Sequence, residues 1–173
     1  LVPYINASGE LKTKPTQHSV KELRSLGISP DVLICRSDQE LPSDEKNKIA
    51  LFCSVPNDSV ISMHDVETVY SVPLLLHSQK VDKTILKKLK INTKQAKLND
   101  WKRVVKAKLL PEKEVTVSFV GKYTELKDSY KSINEALEHA GIKNKTRVNI
   151  NFVEAESLTS KNIHKTLKNS DAI

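Results

Sequence analysis

Glycine, cysteine and aromatic residues are scarce in this sequence. Its 173 residues include 4 Gly, 2 Cys and 1 Trp, and aromatic residues make up 5% of the chain. Two cysteines cannot supply the disulfide framework of a small secreted domain. The sequence also has no glycine-rich loop ending in lysine, the motif that cradles the phosphates of ATP. No apolar run approaches the length of a bilayer-spanning helix, so we expect no transmembrane segment and no membrane partner.

The two cysteines lie in apolar runs. Cys35 ends the run Val-Leu-Ile-Cys, and Cys53 ends the run Ile-Ala-Leu-Phe-Cys. Neither has a histidine or a second cysteine at metal-ligand spacing, so a ligand or nucleophile role is the weaker alternative. We therefore predict that both thiols are reduced and buried in the core of a cytoplasmic protein.

Neither end of the sequence is typical of a complete chain. The first residues, Leu-Val-Pro-Tyr, contain no initiator methionine and no signal-peptide features. The last residues, Ser-Asp-Ala-Ile, resemble the first residues of a strand. We expect the chain to be an internal part of a longer polypeptide.

Positive charge is concentrated in one segment. The chain carries a net charge of +7, whereas residues 81–113 alone contain 11 Lys or Arg and 3 Asp or Glu, a net charge of +8. Such a segment can bind nucleic acid or an acidic partner, or it can be a solvated helical connector between domains. Its only aromatic residue is Trp101, so it lacks the stacking platforms of single-strand binders. We favour the connector and expect no nucleic-acid partner.

Apolar patterns of strand and helix type alternate along the chain, which predicts an α/β fold with a mostly parallel sheet. The helices predicted before residue 80 are 14–26, 42–53 and 66–79, the last interrupted at Pro73. The strands predicted there are 31–35 and 59–63.

The remaining elements continue this alternation. Residues 81–110 are predicted to form two helices, the first capped by Asp82. The later predictions are strands at 115–120 and 147–153, helices at 128–140 and 159–167, a helix stop at Gly141, and a third strand from Ala172.

Lysine, threonine and glutamine are concentrated at the start of the first predicted helix. Lys12 and Lys14 are two residues apart, with Thr13, Thr16 and Gln17 around them. The free backbone N–H groups and the dipole of a helix N-terminus attract anions, and two ammonium groups can reach different phosphates of one polyphosphate. The segment is therefore a candidate nucleotide-phosphate site, and an ordinary basic helix start is the alternative.

The same segment is one of several stretches that together resemble a known protein family. It reads Gly-Glu-Leu-Lys-Thr-Lys-Pro-Thr-Gln-His-Ser over residues 9–19. The other stretches are residues 1–6, 30–38, 48–53, 60–66, 72–76, 120–123, 128–132 and 136–141. In this order they resemble the CTP synthase family over essentially the whole chain, most weakly in residues 80–113 and 142–170.

The resemblance implies two partial doubly wound domains with mostly parallel sheets, joined by a helical linker. Residues 1–79 correspond to the carboxy-terminal part of a synthetase domain related to P-loop enzymes. Residues 80–113 correspond to the basic linker, and residues 114–173 to the start of a class I glutamine amidotransferase domain.

The resemblance also implies a reaction and its ligands. In the family, ATP phosphorylates the uracil 4-oxygen of UTP, and ammonia released from glutamine displaces the phosphate. We accordingly expect UTP, ATP and glutamine as substrates, CTP as a feedback inhibitor, Mg²⁺ as a cofactor and GTP as an allosteric activator. The family forms homotetramers, and we expect one here.

Two sets of nucleotide-binding residues follow from the resemblance. Those for UTP and CTP are Lys12, Thr13, Lys14, Pro15, Thr16, Gln17 and Lys48. Those for ATP are Arg36, His64, Asp65 and Val66. We expect no catalytic residue and no metal ligand within the chain, because the phosphate loop, the magnesium ligands and the amidotransferase cysteine would lie outside it. The chain alone is therefore expected to be inactive.

Simpler interpretations compete with these assignments. Lys48 can be a surface lysine in the first turns of a helix, and Arg36 can form a salt bridge with Asp38 or Glu40. His18 follows the phosphate segment but is interpreted as structural. For the protein as a whole, the alternative is a non-catalytic module that binds pyrimidine nucleotides.

Overall fold

The fold consists of two compact units. A computed structural model describes residues 1–173, except for the side chain of Lys127. The units are Leu1–Leu98 and Asn99–Ile173, so the boundary between them falls inside the predicted linker, residues 80–113. Each unit contains a two-stranded parallel sheet with helices, which confirms the predicted α/β class. No described helix is both long enough and apolar enough to span a membrane.

The first unit begins with a small antiparallel hairpin and continues with strand–helix pairs. Its strands are β1 (Tyr4–Ile5), β2 (Glu10–Leu11), β3 (Leu33–Ser37) and β4 (Val60–His64). Its helices are α1 (Lys14–Ser25), α2 (Ser43–Cys53), α3 (Val72–Ser78) and α4 (Val81–Lys88). Short 3₁₀ turns precede β4 at Asn57–Ser59 and α3 at Val69–Ser71.

Strands β3 and β4 pair in parallel without offset. Leu33 lies opposite Val60, and Ser37 lies opposite His64, so both strands end at the same edge of the sheet. The carboxyl edge of a parallel sheet is where open α/β folds usually bind ligands. This register therefore decides which side chains can share a site.

A compact apolar core holds the first unit together. Ile49 of α2 has no exposed surface, and Cys35 of β3 and Cys53 of α2 are each only 1% exposed. The other members are Val2, Leu11, Val20, Leu41, Ala50, Val55 and Val60. The predicted burial of both cysteines is confirmed. Burial raises the pKa of the Cys35 thiol to about 11 and also raises the pKa of the Cys53 thiol.

The edge of β4 that does not face β3 is covered at one point by a side chain. The Gln79 amide donates to the Ser62 carbonyl oxygen at 2.8 Å and accepts from the Ser62 backbone N–H at 2.9 Å. The Ser62 hydroxyl accepts from the Leu41 backbone N–H at 3.0 Å. All polar groups of this buried serine are thereby satisfied, as a buried strand requires.

The second unit is built on a longer parallel pair. Its elements are α5 (Asn99–Leu109), β5 (Lys113–Gly121), α6 (Lys131–Lys143), β6 (Thr146–Glu154) and α7 (Ile163–Leu167). Nine residue pairs align β5 with β6, from Lys113 opposite Thr146 to Gly121 opposite Glu154. Ala172 forms an isolated parallel bridge to Val117 on the other side of β5, at the position where a third strand was predicted.

The predicted helix stop at Gly141 is wrong. Helix α6 continues to Lys143, and Gly141 lies inside it. A Cβ atom at this position would lie 2.5 Å from the backbone oxygen of Thr146, at the start of β6. Glycine is therefore present because the helix and the strand approach closely, and not because the helix ends.

Two predictions around α3 and α4 also need correction. Pro73 does not interrupt a helix: it lies in the first turn of α3, where a missing N–H costs no hydrogen bond. Asp82 does not cap α4, because the residue before the helix is Lys80, in a left-handed conformation with φ 61°. Asp82 instead contacts His77 Nδ1 at 3.0 Å.

Other element boundaries also differ from prediction. The strand predicted at 31–35 begins two residues later, at Leu33. The α-helix predicted from residue 128 begins at Lys131 after a 3₁₀ turn. The helix predicted at 159–167 comprises only Ile163–Leu167. Boundaries of this kind are set by tertiary contacts as much as by local sequence.

Ile49→Ala should lower the free energy of unfolding by about 2–5 kcal/mol, because it leaves a cavity in a fully buried position. Urea unfolding followed by circular dichroism measures the change. The matched control is Leu51→Ala in the same helix, since Leu51 is 76% exposed; its effect should stay within about 0.5 kcal/mol. Equal losses in the two variants would contradict the assigned core.

Both native thiols should resist Ellman's reagent at about pH 8, because the thiolate is the reactive form and burial disfavours it. Their reaction should speed up as pH rises toward the raised pKa, and both should react at once in denaturant. Ser29→Cys supplies an exposed thiol as the control. Rapid reaction of Cys35 in the folded protein would contradict its burial.

Candidate functional site

The hairpin β1–β2 leads directly into α1 and sets the position of the phosphate-site candidates. Lys12 follows β2, and its backbone N–H donates to the Pro3 oxygen at 2.9 Å, which extends the hairpin by one pair. Thr13 is the residue before α1, and Pro15 lies in the first turn. Lys14 and Pro15 are exposed at this helix start.

The threonines and the glutamine are used inside the protein. Thr13 is buried, and its Oγ1 accepts from Gln17 Nε2 at 3.0 Å. Thr16 is also buried, and its hydroxyl donates to the Leu1 oxygen at 2.7 Å. The threonine hydroxyls and the glutamine amide are thus engaged within the protein. The positive charge at the start of α1 comes from Lys12 and Lys14.

One carboxylate lies among the lysines predicted to bind UTP. Glu10 of β2 forms an ion pair with Lys12 Nζ. The hydrogen bond and charge of Lys12 chiefly lower the pKa of the Glu10 carboxyl, and Ser8 and the charge of Lys48 lower it further. Lys48 of α2 also lies 4.0 Å from Glu45. The charges of Lys12 and Lys48, which are 36 positions apart in the sequence, thus both act on the Glu10 carboxylate.

Glu10 is a residue that the sequence analysis missed. The pattern Glu-x-Lys in an extended segment places both side chains on one face of the strand, because strands alternate with a period of two. That spacing could have identified the pair.

The ATP-site candidates meet at the carboxyl ends of β3 and β4. Arg36 forms an ion pair with Asp65, and its Nη1 donates to the Ser37 oxygen at 2.7 Å. The partner predicted for this arginine by the simpler interpretation was Asp38 or Glu40, and that prediction is wrong. Arg36 lies opposite Met63 in the parallel register, and Asp65 follows two residues later.

His64 and Val66 flank this ion pair. His64 ends β4 and is partly exposed, but its Nδ1 atom is buried and has no hydrogen-bond partner among the described residues. Val66 is half-buried two residues later. This nitrogen is enclosed by protein, so a ligand could reach it only if neighbouring side chains moved.

A three-residue segment connects the two groups of candidates. The Val2 N–H donates to the Arg36 oxygen at 2.8 Å, and the next residue, Pro3, accepts from Lys12. Leu1 accepts from Thr16, and Val2 is completely buried in the core. The backbone of residues 1–3 therefore ties the end of β3 to the start of α1. The sequence carries no recognisable motif for this role.

No group of three or more His, Cys, Asp or Glu side chains that could hold a metal ion occurs among the described residues. His18 is exposed on α1.

The chain was also compared with known protein families. The family model described as CTP synthase N-terminus matches residues 1–91. That range is more than half of the chain and contains every candidate described above, from Lys12 to Val66. The match supports a role in CTP synthesis, within pyrimidine biosynthesis, and a ligase-type enzyme. The chain belongs to the CTP synthase family.

Proposed function

We propose that this chain is an internal part of an ATP-dependent ligase that aminates UTP to CTP, with glutamine or ammonia as the nitrogen source and a 4-phosphorylated UTP intermediate. The observation that carries the proposal is the backbone link made by residues 1–3, which joins a lysine group at a helix start to an arginine at a strand end. Two phosphate-rich nucleotides could thus be held by one rigid arrangement.

In this proposal, the lysine group holds the phosphates of UTP and of the inhibitor CTP. Lys12, Lys14 and Lys48 supply charge, and the first turn of α1 supplies backbone N–H groups. Thr13, Pro15, Thr16 and Gln17 contribute by fixing that turn. Thr13 accepts a hydrogen bond from Gln17, and the Thr16 hydroxyl donates one to the Leu1 oxygen.

The arginine group holds ATP. Arg36 has a planar set of donors suited to phosphate, and it would exchange the Asp65 carboxylate for a ligand oxygen. The backbone around His64 and Val66 would contact the rest of the nucleotide. Catalysis would then depend on positioning and electrostatic stabilisation of phosphoryl transfer.

The remaining machinery is assigned to residues outside this chain. We propose that the Mg²⁺ ligands, the phosphate loop and the amidotransferase nucleophile belong to other parts of the same polypeptide. Residues 114–173 would begin the amidotransferase domain, and residues 80–113 would be the linker. GTP activation and a homotetramer are part of the same proposal.

Lys12→Ala and Lys14→Ala should each lower kcat/KM for UTP by about 10- to 100-fold, because each removes a charge-assisted contact to phosphate. The assay measures CTP formed by the full-length protein from UTP, ATP and Mg²⁺, with glutamine or ammonium. Lys21→Ala, at an exposed position further along α1, should leave the rate unchanged. UTP binding without CTP formation from either nitrogen source would instead favour a non-catalytic nucleotide-binding module.

Arg36→Ala should raise the KM for ATP by about tenfold or more and leave UTP binding nearly unchanged, because the arginine lies in the ATP group. Initial rates at varied ATP, together with UTP titrations, separate the two effects. Arg103→Ala removes an equivalent charge from an exposed ion pair in α5 and is the control. A loss of UTP affinity as large as the change in ATP would refute the division into two groups.

A further inference from the structure

We infer that Glu10 competes with the nucleotide phosphates for Lys12, and that it thereby limits the affinity of the site for UTP and CTP. The inference rests on the proposed function and adds a residue to which no role has so far been given. A carboxylate next to a bound phosphate repels it, whereas a nearby ammonium group attracts it.

The position of Glu10 is fixed by the hairpin. Glu10 lies opposite Ile5 in the β1–β2 register, and the turn before it contains Gly9 with φ 65°, a conformation that favours glycine. The backbone of Lys12 is held by Pro3. The two backbones are thus constrained, while both side chains are about half exposed and free to change partner.

Glu10 is the carboxylate that pairs with Lys12 at the start of α1. Among the described side chains, it alone forms an ion pair with Lys12, and no carboxylate pairs with Lys14. Lys48 has Glu45 as its own partner at 4.0 Å but also acts on Glu10. In the absence of a ligand, one carboxylate therefore offsets part of the charge of Lys12 and Lys48.

The exchange of Glu10 for a phosphate is chemically reasonable. Carboxylate and phosphate oxygens are both acceptors for an ammonium group, and the phosphate carries more charge. An exposed ion pair contributes little stability, so releasing it is easy. Because the neighbouring lysines lower the pKa of the Glu10 carboxyl, the competitor remains ionised throughout the neutral range.

Replacement of Glu10 by glutamine keeps the shape of the side chain and removes its charge. The Glu10→Gln protein should bind UTP and CTP about three- to tenfold more tightly, because Lys12 loses its competing partner and the phosphates lose a nearby negative charge. The difference should shrink at high salt. ATP affinity should not change, and CTP should inhibit at correspondingly lower concentrations.

The experiment is calorimetric titration of the full-length protein with UTP, CTP, ATP and uridine. Uridine lacks phosphate, so its affinity should be the same in the wild type and in Glu10→Gln. Glu10→Asp keeps the charge and should stay closer to the wild type than Glu10→Gln does. Glu22→Gln makes the same charge change at an exposed position of α1 and is the control. Thermal unfolding verifies that the variants are folded.

The outcomes separate the two hypotheses. Tighter UTP binding in Glu10→Gln, with uridine and ATP unchanged, supports the inference. Unchanged or weaker UTP binding in a folded Glu10→Gln protein overturns it, since Glu10 would then be irrelevant or would hold Lys12 in its productive position. A wild-type protein that binds ATP but not UTP would overturn the proposed function together with this inference.

Discussion

The parallel pairing of β3 with β4 is the constraint on which the arrangement of the first unit depends. Because the strands pair without offset, their carboxyl ends meet, and Arg36 comes within reach of Asp65. The Val2 N–H then binds the oxygen of that same arginine, and Pro3 binds Lys12. A shift of register by one residue would turn Arg36 to the opposite face of the sheet. It would also separate the two charged groups that the first three residues connect.

Much of this arrangement follows from local patterns, and the rest depends on pairing between distant segments. The alternation of apolar runs was sufficient to predict the α/β class, and the apolar surroundings of Cys35 and Cys53 were sufficient to predict their burial. The partner of Arg36 could not be derived in the same way, because it is set by the register of two strands about 27 positions apart. Gly141 was misinterpreted for a similar reason: the close approach of α6 to Thr146 is invisible in a local pattern, whereas a glycine near a helix end is a common stop.

Each charged group of the first unit contains ion pairs with carboxylates of the same unit. Lys12 faces Glu10, Arg36 faces Asp65, and Lys48 has Glu45 nearby. The pairs of Lys12 and Arg36 are about half exposed, so each adds little to stability. Their effect is on the electrostatic field at the surface: an incoming polyanion meets less positive potential than the lysines and the arginine alone would create. Such a surface exchanges its anions readily.

Gln79 has a consequence for self-association. An exposed strand edge presents unpaired N–H and C=O groups that can recruit a strand from another molecule. At Ser62 both backbone groups are hydrogen-bonded to the Gln79 side chain. These two bonds replace those that a neighbouring strand would make. An invading strand would have to displace the Gln79 amide before it could continue a ladder along β4. The glutamine therefore blocks the addition of a strand at this point of the β4 edge.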